Sequence, residues 1–180
     1  MHFAFTLAAH HRPTASSIKT AAVVGFPSGA HNPLVKSREA QQACEHGANE
    51  IDMVVNLALV SSANWSAITD EVSAVRAAIP SGAILKAIIE SALWSDEQII
   101  AVCSAAVLGG ADFVKTSTGF HKSGGASIVA VQLMRKTVGE TIGVKASGGI
   151  RTYADAIAMI EAGASRIGAS ASRSILVEAE

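Results

Sequence analysis

Two lysines stand inside strand-like apolar runs: Lys115 in Ala111-Asp112-Phe113-Val114-Lys115-Thr116-Ser117-Thr118-Gly119, and Lys145 in Ile142-Gly143-Val144-Lys145-Ala146-Ser147-Gly148-Gly149. Runs this dense belong to parallel strands covered on both faces, where a lysine cannot reach water sideways. Its amine must point into a cavity. Burial without a partner favours the neutral form, which turns lysine from a solvated charge into a nucleophile. A lone strand lysine reads more simply as a surface charge at a strand end. Two in equivalent settings, each running into a Gly- and Ser-rich turn, favour one shared cavity, where each pushes the other toward the neutral form. Asp52, in Glu50-Ile51-Asp52-Met53-Val54-Val55-Asn56, is a carboxylate in an equally apolar strand and needs a cation or several donors. Alone it reads as a structural ion-pair member. With Lys115 and Lys145 it completes a set of amine nucleophile, tuning amine or ammonium, and proton-shuttling carboxylate. Lys86, in Leu85-Lys86-Ala87-Ile88-Ile89-Glu90, is either a further member of this network or only the partner of Asp52.

Two segments join a strand to a helix through glycine: Ser147-Gly148-Gly149-Ile150-Arg151-Thr152 and Ile167-Gly168-Ala169-Ser170. Glycines there let backbone N–H groups approach an anion at a helix N-terminus. Glycine pairs are common in turns, but these lie in the last two units of the chain, where barrels of βα units hold phosphate. Gly119 supplies a third edge to such a site. His121 and Lys122, beside Gly124-Gly125, read as solvated loop residues within reach of a substrate.

The elements that must position these residues alternate in type. Strands are expected over residues 19–25, 50–56, 84–90, 112–117, 143–147 and 166–168, and helices over 34–46, 65–78, 96–108, 128–138 and 153–162, with a short one after Ser170. Three helices end in one phrase, Gly47-Ala48-Asn49, Gly109-Gly110-Ala111-Asp112 and Gly163-Ala164-Ser165, each a glycine that stops a helix before a strand. The recurrence favours a cyclic βα architecture over an open doubly wound sheet. There is no Gly-x-Gly-x-x-Gly after the first strand, and polar residues (Asn56, Glu90, Thr116 to Thr118, Ser147, Ser170) recur at the strands' C-terminal ends, the habit of a (β/α)8 barrel. Six units are two short of eight.

Composition narrows the function classes. With 180 residues, 49% hydrophobic and 16% charged, the chain suits a single compact α/β domain over 1–180. Fourteen Lys plus Arg against fifteen Asp plus Glu give a formal charge of −1, without a basic stripe for nucleic acid, so any anion is gripped locally. Cys44 and Cys103 fall in helix-like stretches without CxxC spacing, which argues against zinc and for a reduced, cytoplasmic setting. The start lacks the basic region of a signal peptide, and no run reaches the length of a membrane span. His2, His10 and His11 are poorly placed to ligate a metal. Neither metal nor cofactor is expected.

Four motifs, Phe113-Val114-Lys115-Thr116-Ser117-Thr118-Gly119-Phe120, Val144-Lys145-Ala146-Ser147-Gly148-Gly149-Ile150-Arg151-Thr152, Val23-Val24-Gly25-Phe26-Pro27-Ser28-Gly29 and Glu50-Ile51-Asp52-Met53-Val54, which stand along the chain in family order with family-like spacing, closely resemble deoxyribose-phosphate aldolase. The resemblance implies a TIM-barrel fold and reversible cleavage of 2-deoxy-D-ribose 5-phosphate to glyceraldehyde 3-phosphate and acetaldehyde. It implies that Lys115 forms the Schiff base, that Lys145 tunes it and that Asp52 relays protons. Gly119, Gly148, Gly149, Gly168 and Ser170 then line the phosphate site, the partner is a small phosphosugar, and a homo-oligomer is compatible. The family also carries an N-terminal helix and two strands ahead of the segment equivalent to 19–25. Met1 to Ala9 reads as the helix after the second of these strands, so an incomplete barrel with two unpaired edges is expected. A truncated inactive fragment and a phosphosugar-binding pseudoenzyme are the alternatives.

Overall fold

The computed structural model describes residues 18–179, and the expectations placed on Met1 to Ala9 and on His2, His10 and His11 lie outside them. Six parallel strands form one sheet in chain order: β1 (Ala21–Val24), β2 (Glu50–Val54), β3 (Ile84–Ile88), β4 (Phe113–Lys115), β5 (Gly143–Ser147) and β6 (Arg166–Gly168). The connecting helices are α1 (Pro33–Glu45), α2 (Leu57–Ser61), α3 (Trp65–Ala78), α4 (Asp96–Leu108), α5 (Ile128–Val138) and α6 (Tyr153–Glu161), and α7 (Ser172–Val177) follows β6. A 3-10 turn, Ser91–Leu93, follows β3. Among the described residues, no helix is long and apolar enough to cross a membrane.

Helix starts are written locally. Asn32, Asn56, Asn64, Ser95, Ser127 and Thr152 each accept a first-turn backbone N–H, and Ser95 with Gln98 and Thr152 with Asp155 form capping boxes. The same chemistry shortens strands relative to the apolar runs. The run 50–56 leaves the ladder at Val54 because the Asn56 side chain caps α2. The run 112–117 is strand only over Phe113–Lys115; Thr116 N still donates to Lys145 O at 3.0 Å, and the Thr116 hydroxyl adds a side-chain tie, donating to Ser147 O at 3.1 Å and accepting from Ser147 N at 3.1 Å. α2 and the 3-10 turn were not among the expected elements, since a single helical turn has no periodicity to display.

Alternation within the strands sorts chemistry by face. Ile51, Met53, Leu85, Ala87, Val114, Val144 and Ala146 join the buried apolar core under the helices. The intervening Glu50, Asp52, Lys86, Lys115, Lys145 and Ser147 share the opposite face. α1 packs on α3, α3 on α4 and α4 on α5. Gly109, which ends α4, lies so close to α3 that an added Cβ would sit 2.7 Å from Val72 Cβ.

The sheet is strongly curled, with its polar face inside. From β2 to β5 is three strand spacings, about 14 Å in a flat sheet, yet Lys145 Nζ on β5 reaches Asp52 on β2 at 2.7 Å. From β2 to β6 is four spacings, and Arg166 still contacts Glu50 at 3.0 Å. The loops after β1 and β4 also meet, through an edge-to-face contact of Phe26 and Phe120 at 5.2 Å. Side chains from at least five strands therefore converge on one interior.

Candidate active site

Register brings the predicted residues together. Asp52 pairs with Lys86 across β2 and β3, Ile88 with Lys115 across β3 and β4, and Lys115 with Lys145 across β4 and β5. Paired residues of parallel neighbours share a face, as do residues two apart on one strand, so all four ionisable groups project inward. Curling closes the remaining distance. Asp52 Oδ1 accepts from Lys86 Nζ at 2.6 Å, while Oδ2 accepts from Lys115 Nζ at 2.8 Å and Lys145 Nζ at 2.7 Å. Three amines thus meet on one carboxylate that is 2% exposed.

Lys86 also contacts Glu50 at 2.7 Å, and Arg166 lays one guanidinium nitrogen across both Glu50 oxygens at 3.1 and 3.0 Å. Lys86 is therefore a bridge between two carboxylates, not merely the partner of Asp52. Glu50 and Arg166 were not singled out from sequence. Glu50 reads as a strand-entry residue and Arg166 stands 116 positions away, so only the curl reveals the pair.

Among the described residues, two carboxylates face four basic side chains here, so basic groups outnumber acidic ones. Burial pushes the Asp52 carboxyl up, but the charges of Lys115, Lys145 and Lys86 outweigh it and hold the group well below the usual carboxylate range. Burial likewise pushes Glu50 up, and its bonds to Lys86 and Arg166 more than reverse that. Lys145 is held below the ordinary lysine value, by burial first, with the charges of Lys115 and Lys86 adding and Asp52 opposing. The site thus contains an amine biased toward neutrality beside a carboxylate that stays ionised, which suits imine chemistry with proton transfer.

The glycine loops partly converge beside this cluster. Gly119, Gly125 and Gly148 come together: a Cβ on Gly148 would meet Gly125 Cα at 3.0 Å and Gly119 Cα at 3.4 Å. Gly168 lies against Lys145, an added Cβ falling 3.2 Å from Lys145 Cε. Gly148 and Gly149 both hold φ of +84°, and a Cβ on Gly149 would face open space. Ser170 is exposed at the end of the β6 segment. The first turn of α6, by contrast, already carries carboxylates: Arg151 N and Thr152 N donate to Asp155 Oδ2, each at 3.0 Å, and Tyr153 N donates to Glu178 at 2.7 Å. An anion between these loops would meet glycine backbone before helix terminus.

Elsewhere, a groove of about 520 Å³ lies at the opposite ends of the strands, between Ile84, Asp112, Gly143 and Ser165. Its cation, Arg135, is engaged with the carbonyls of Gly163, Gly139 and Ile142. Among the described residues no group of His, Cys, Asp and Glu is arranged to hold a metal ion.

A family model described as DeoC/LacD family aldolase matches residues 2–178. The chain is 58% identical over 159 residues to a deoxyribose-phosphate aldolase of Kocuria rhizophila, covering 88% of this chain and 73% of the relative. It is 54% identical over 162 residues to that of Corynebacterium diphtheriae, covering 90% and 74%. Among solved structures, QR15, an aldolase, superposes with a TM-score of 0.90 at 38% identity, over 98% of this chain and 77% of that one. The tetrameric deoxyribose phosphate aldolase of Aeropyrum pernix gives 0.81 at 39%, over 89% and 67%. The curled six-stranded sheet is thus the aldolase barrel architecture, six of its βα units being described.

Proposed function

The chain belongs to the DeoC/LacD aldolase family, and we propose that it catalyses the reversible cleavage of 2-deoxy-D-ribose 5-phosphate to D-glyceraldehyde 3-phosphate and acetaldehyde through a Schiff base on Lys115. The observation that carries the reading is the convergence of Lys115, Lys145 and Lys86 on Asp52.

In this mechanism the neutral Lys115 amine adds to C1 of the open-chain sugar, and loss of water gives a protonated imine. A base removes the proton of the C3 hydroxyl, the C2–C3 bond breaks, and its electron pair moves through C2 onto the imine nitrogen. Glyceraldehyde 3-phosphate leaves. The resulting enamine takes a proton at C2, and water hydrolyses the acetaldehyde imine to regenerate Lys115. Lys145 and Asp52, both in contact with the nucleophile's environment, relieve Lys115 of its proton, and Asp52, through water, moves protons on and off the substrate carbon. Lys86 holds Asp52 in place and ionised. Gly119, Gly148, Gly149 and Gly168 offer backbone to the phosphate, with Ser170 at the rim.

Self-association belongs to the same reading, on the strength of the tetrameric Aeropyrum relative. So does a cytoplasmic setting, where the free thiols of Cys44 and Cys103 persist. Incubation with the sugar phosphate and borohydride, followed by peptide mass analysis, tests the mechanism. The reduced adduct is expected on the peptide containing Lys115. An adduct on Lys145 or Lys86 would reassign the nucleophile, and none at all would refute imine catalysis.

A further inference from the structure

Glu90, two residues beyond β3, combines three features that seldom coincide. Its backbone lies in the left-handed region, with φ 54° and ψ 56°, where only one other non-glycine among the described residues, Ala63, is found near it. A side chain there is strained, glycine is comfortable, and such outliers cluster at functional sites. Its carboxylate is buried, the residue being 1% exposed, yet among the described residues it forms no ion pair. All of the side chain's bonds shown go to one partner: Thr118 donates its backbone N–H at 3.3 Å to each oxygen and its hydroxyl at 2.6 Å to Oε2.

The consequence lies in the hydroxyl's bonding capacity. A threonine hydroxyl has one hydrogen and two lone pairs. Glu90 takes the hydrogen, and Phe120 N donates to one lone pair at 3.1 Å. One lone pair is left. Because a carboxylate accepts only, Thr118 cannot turn its hydrogen toward a ligand without abandoning that bond. Thr118 is half-buried, hence reachable, and stands three residues beyond Lys115 on a segment stitched to the same stretch by Ile89 N to Lys115 O at 3.0 Å and Ser91 N to Thr116 O at 2.7 Å.

We propose that Glu90 is a positioning residue that fixes the hydrogen-bond polarity of Thr118, making it an acceptor for a donating hydroxyl of the phosphosugar and so a determinant of preference for hydroxylated aldehydes. This deepens the aldolase reading and rests on Lys115 being the nucleophile. Glu90→Gly removes the carboxylate at a φ that glycine accepts, so the backbone is relieved, not strained. Glu90→Gln keeps the shape but adds an amide donor able to reverse the bond to Thr118.

The experiment compares kcat/KM for addition of acetaldehyde to D-glyceraldehyde 3-phosphate and to 3-phosphooxypropanal, which lacks the 2-hydroxyl. Wild-type protein is expected to prefer the hydroxylated aldehyde, and Glu90→Gly to reduce that preference at least about tenfold while still unfolding cooperatively. Glu90→Gln should retain part of it. Thr118→Val should lower the preference as far as Glu90→Gly, with no further loss in the double variant, since both remove one contact. Equal loss on both aldehydes, additive effects, or a wild type without preference overturns the proposal. Borohydride trapping of the acetaldehyde imine, which needs no hydroxyl, separates the two readings: trapping retained in Glu90→Gly shows Lys115 intact, whereas no trapping in wild type overturns the aldolase reading and this inference with it.

Discussion

Lys115, Lys145 and Asp52 were legible because each is a charge where the apolar pattern forbids one. Glu50 and Arg166, joined to this cluster through Lys86, were not, because a residue at a strand entrance breaks no pattern and the pair is created only by curvature. The cluster yields two expectations. Replacing Lys145 by Met removes the amine that is held below its ordinary value, so the rising limb of the kcat/KM profile should move to higher pH as activity falls. An active variant with an unmoved limb would argue against any tuning by Lys145. The second concerns acid stability. Asp52 and Glu50 both have folded-state values below their ordinary 3.8 and 4.5. Each therefore contributes stability that is complete above its ordinary value and lost as pH falls through that value toward the depressed one. Asp52→Asn abolishes its share, so urea unfolding measured from about pH 5 to pH 3 should show a shallower loss of stability than wild type, although the variant starts lower because three buried cations lose their anion. An equal or steeper slope would mean that Asp52 does not carry the acid transition.

At the scale of elements, the helices over 65–78, 96–108 and 128–138 fall where periodicity and caps put them, since those signals are local. A second buried ion pair, Lys36 with Glu71, was invisible because each residue sits in an ordinary amphipathic helix. Both are 0% exposed, and their bond of 2.6 Å ties α1 to α3. Lys36 Nζ also donates to Val54 O at 2.7 Å, and Glu71 Oε2 accepts from Asn56 N at 2.9 Å. The pair thus satisfies the end of β2, the strand that carries Asp52. The Lys36 stem fills the space beside Gly25, where an added Cβ would fall 2.7 Å from Cε at a φ of +62°. Burial holds the Lys36 amine below its ordinary value despite Glu71, which shows how much desolvation the pair must offset. Removing one partner should cost about 3 to 5 kcal/mol, whereas exchanging both for apolar groups of similar volume should be far milder. Denaturant unfolding of Lys36→Met and of Lys36→Met with Glu71→Leu checks this. A double variant as damaged as the single one would mean that the bonds to the end of β2, not charge pairing, dominate.

For the whole molecule, curvature is the property the sequence concealed and function requires. Alternation announced which side of each strand is polar, but not that β5 and β6 would bend round to face β2. The ties across the interior are graded. Asp52 with its three lysines is deeply buried, while Arg166, whose side chain is 40% exposed, holds β6 to Glu50 under solvent screening. Every residue of β2 is buried and every residue of β6 is only half-buried. Hydrogen exchange should therefore be slowest at amides of β2 and β3, such as Met53 and Ala87, and faster in β6, the last strand of the described sheet, because half-buried strands open without global unfolding. Arg166→Met removes the outer tie but leaves Glu50 paired with Lys86, so the expected loss of global stability is only about 1 kcal/mol or less. Exchange in β6 should nevertheless accelerate while β2 and β3 stay protected, and activity should fall in step, since Gly168 of that strand lies against Lys145. Uniform acceleration through all six strands would show that the curl opens as a single unit and that Arg166 closes no separate part of it.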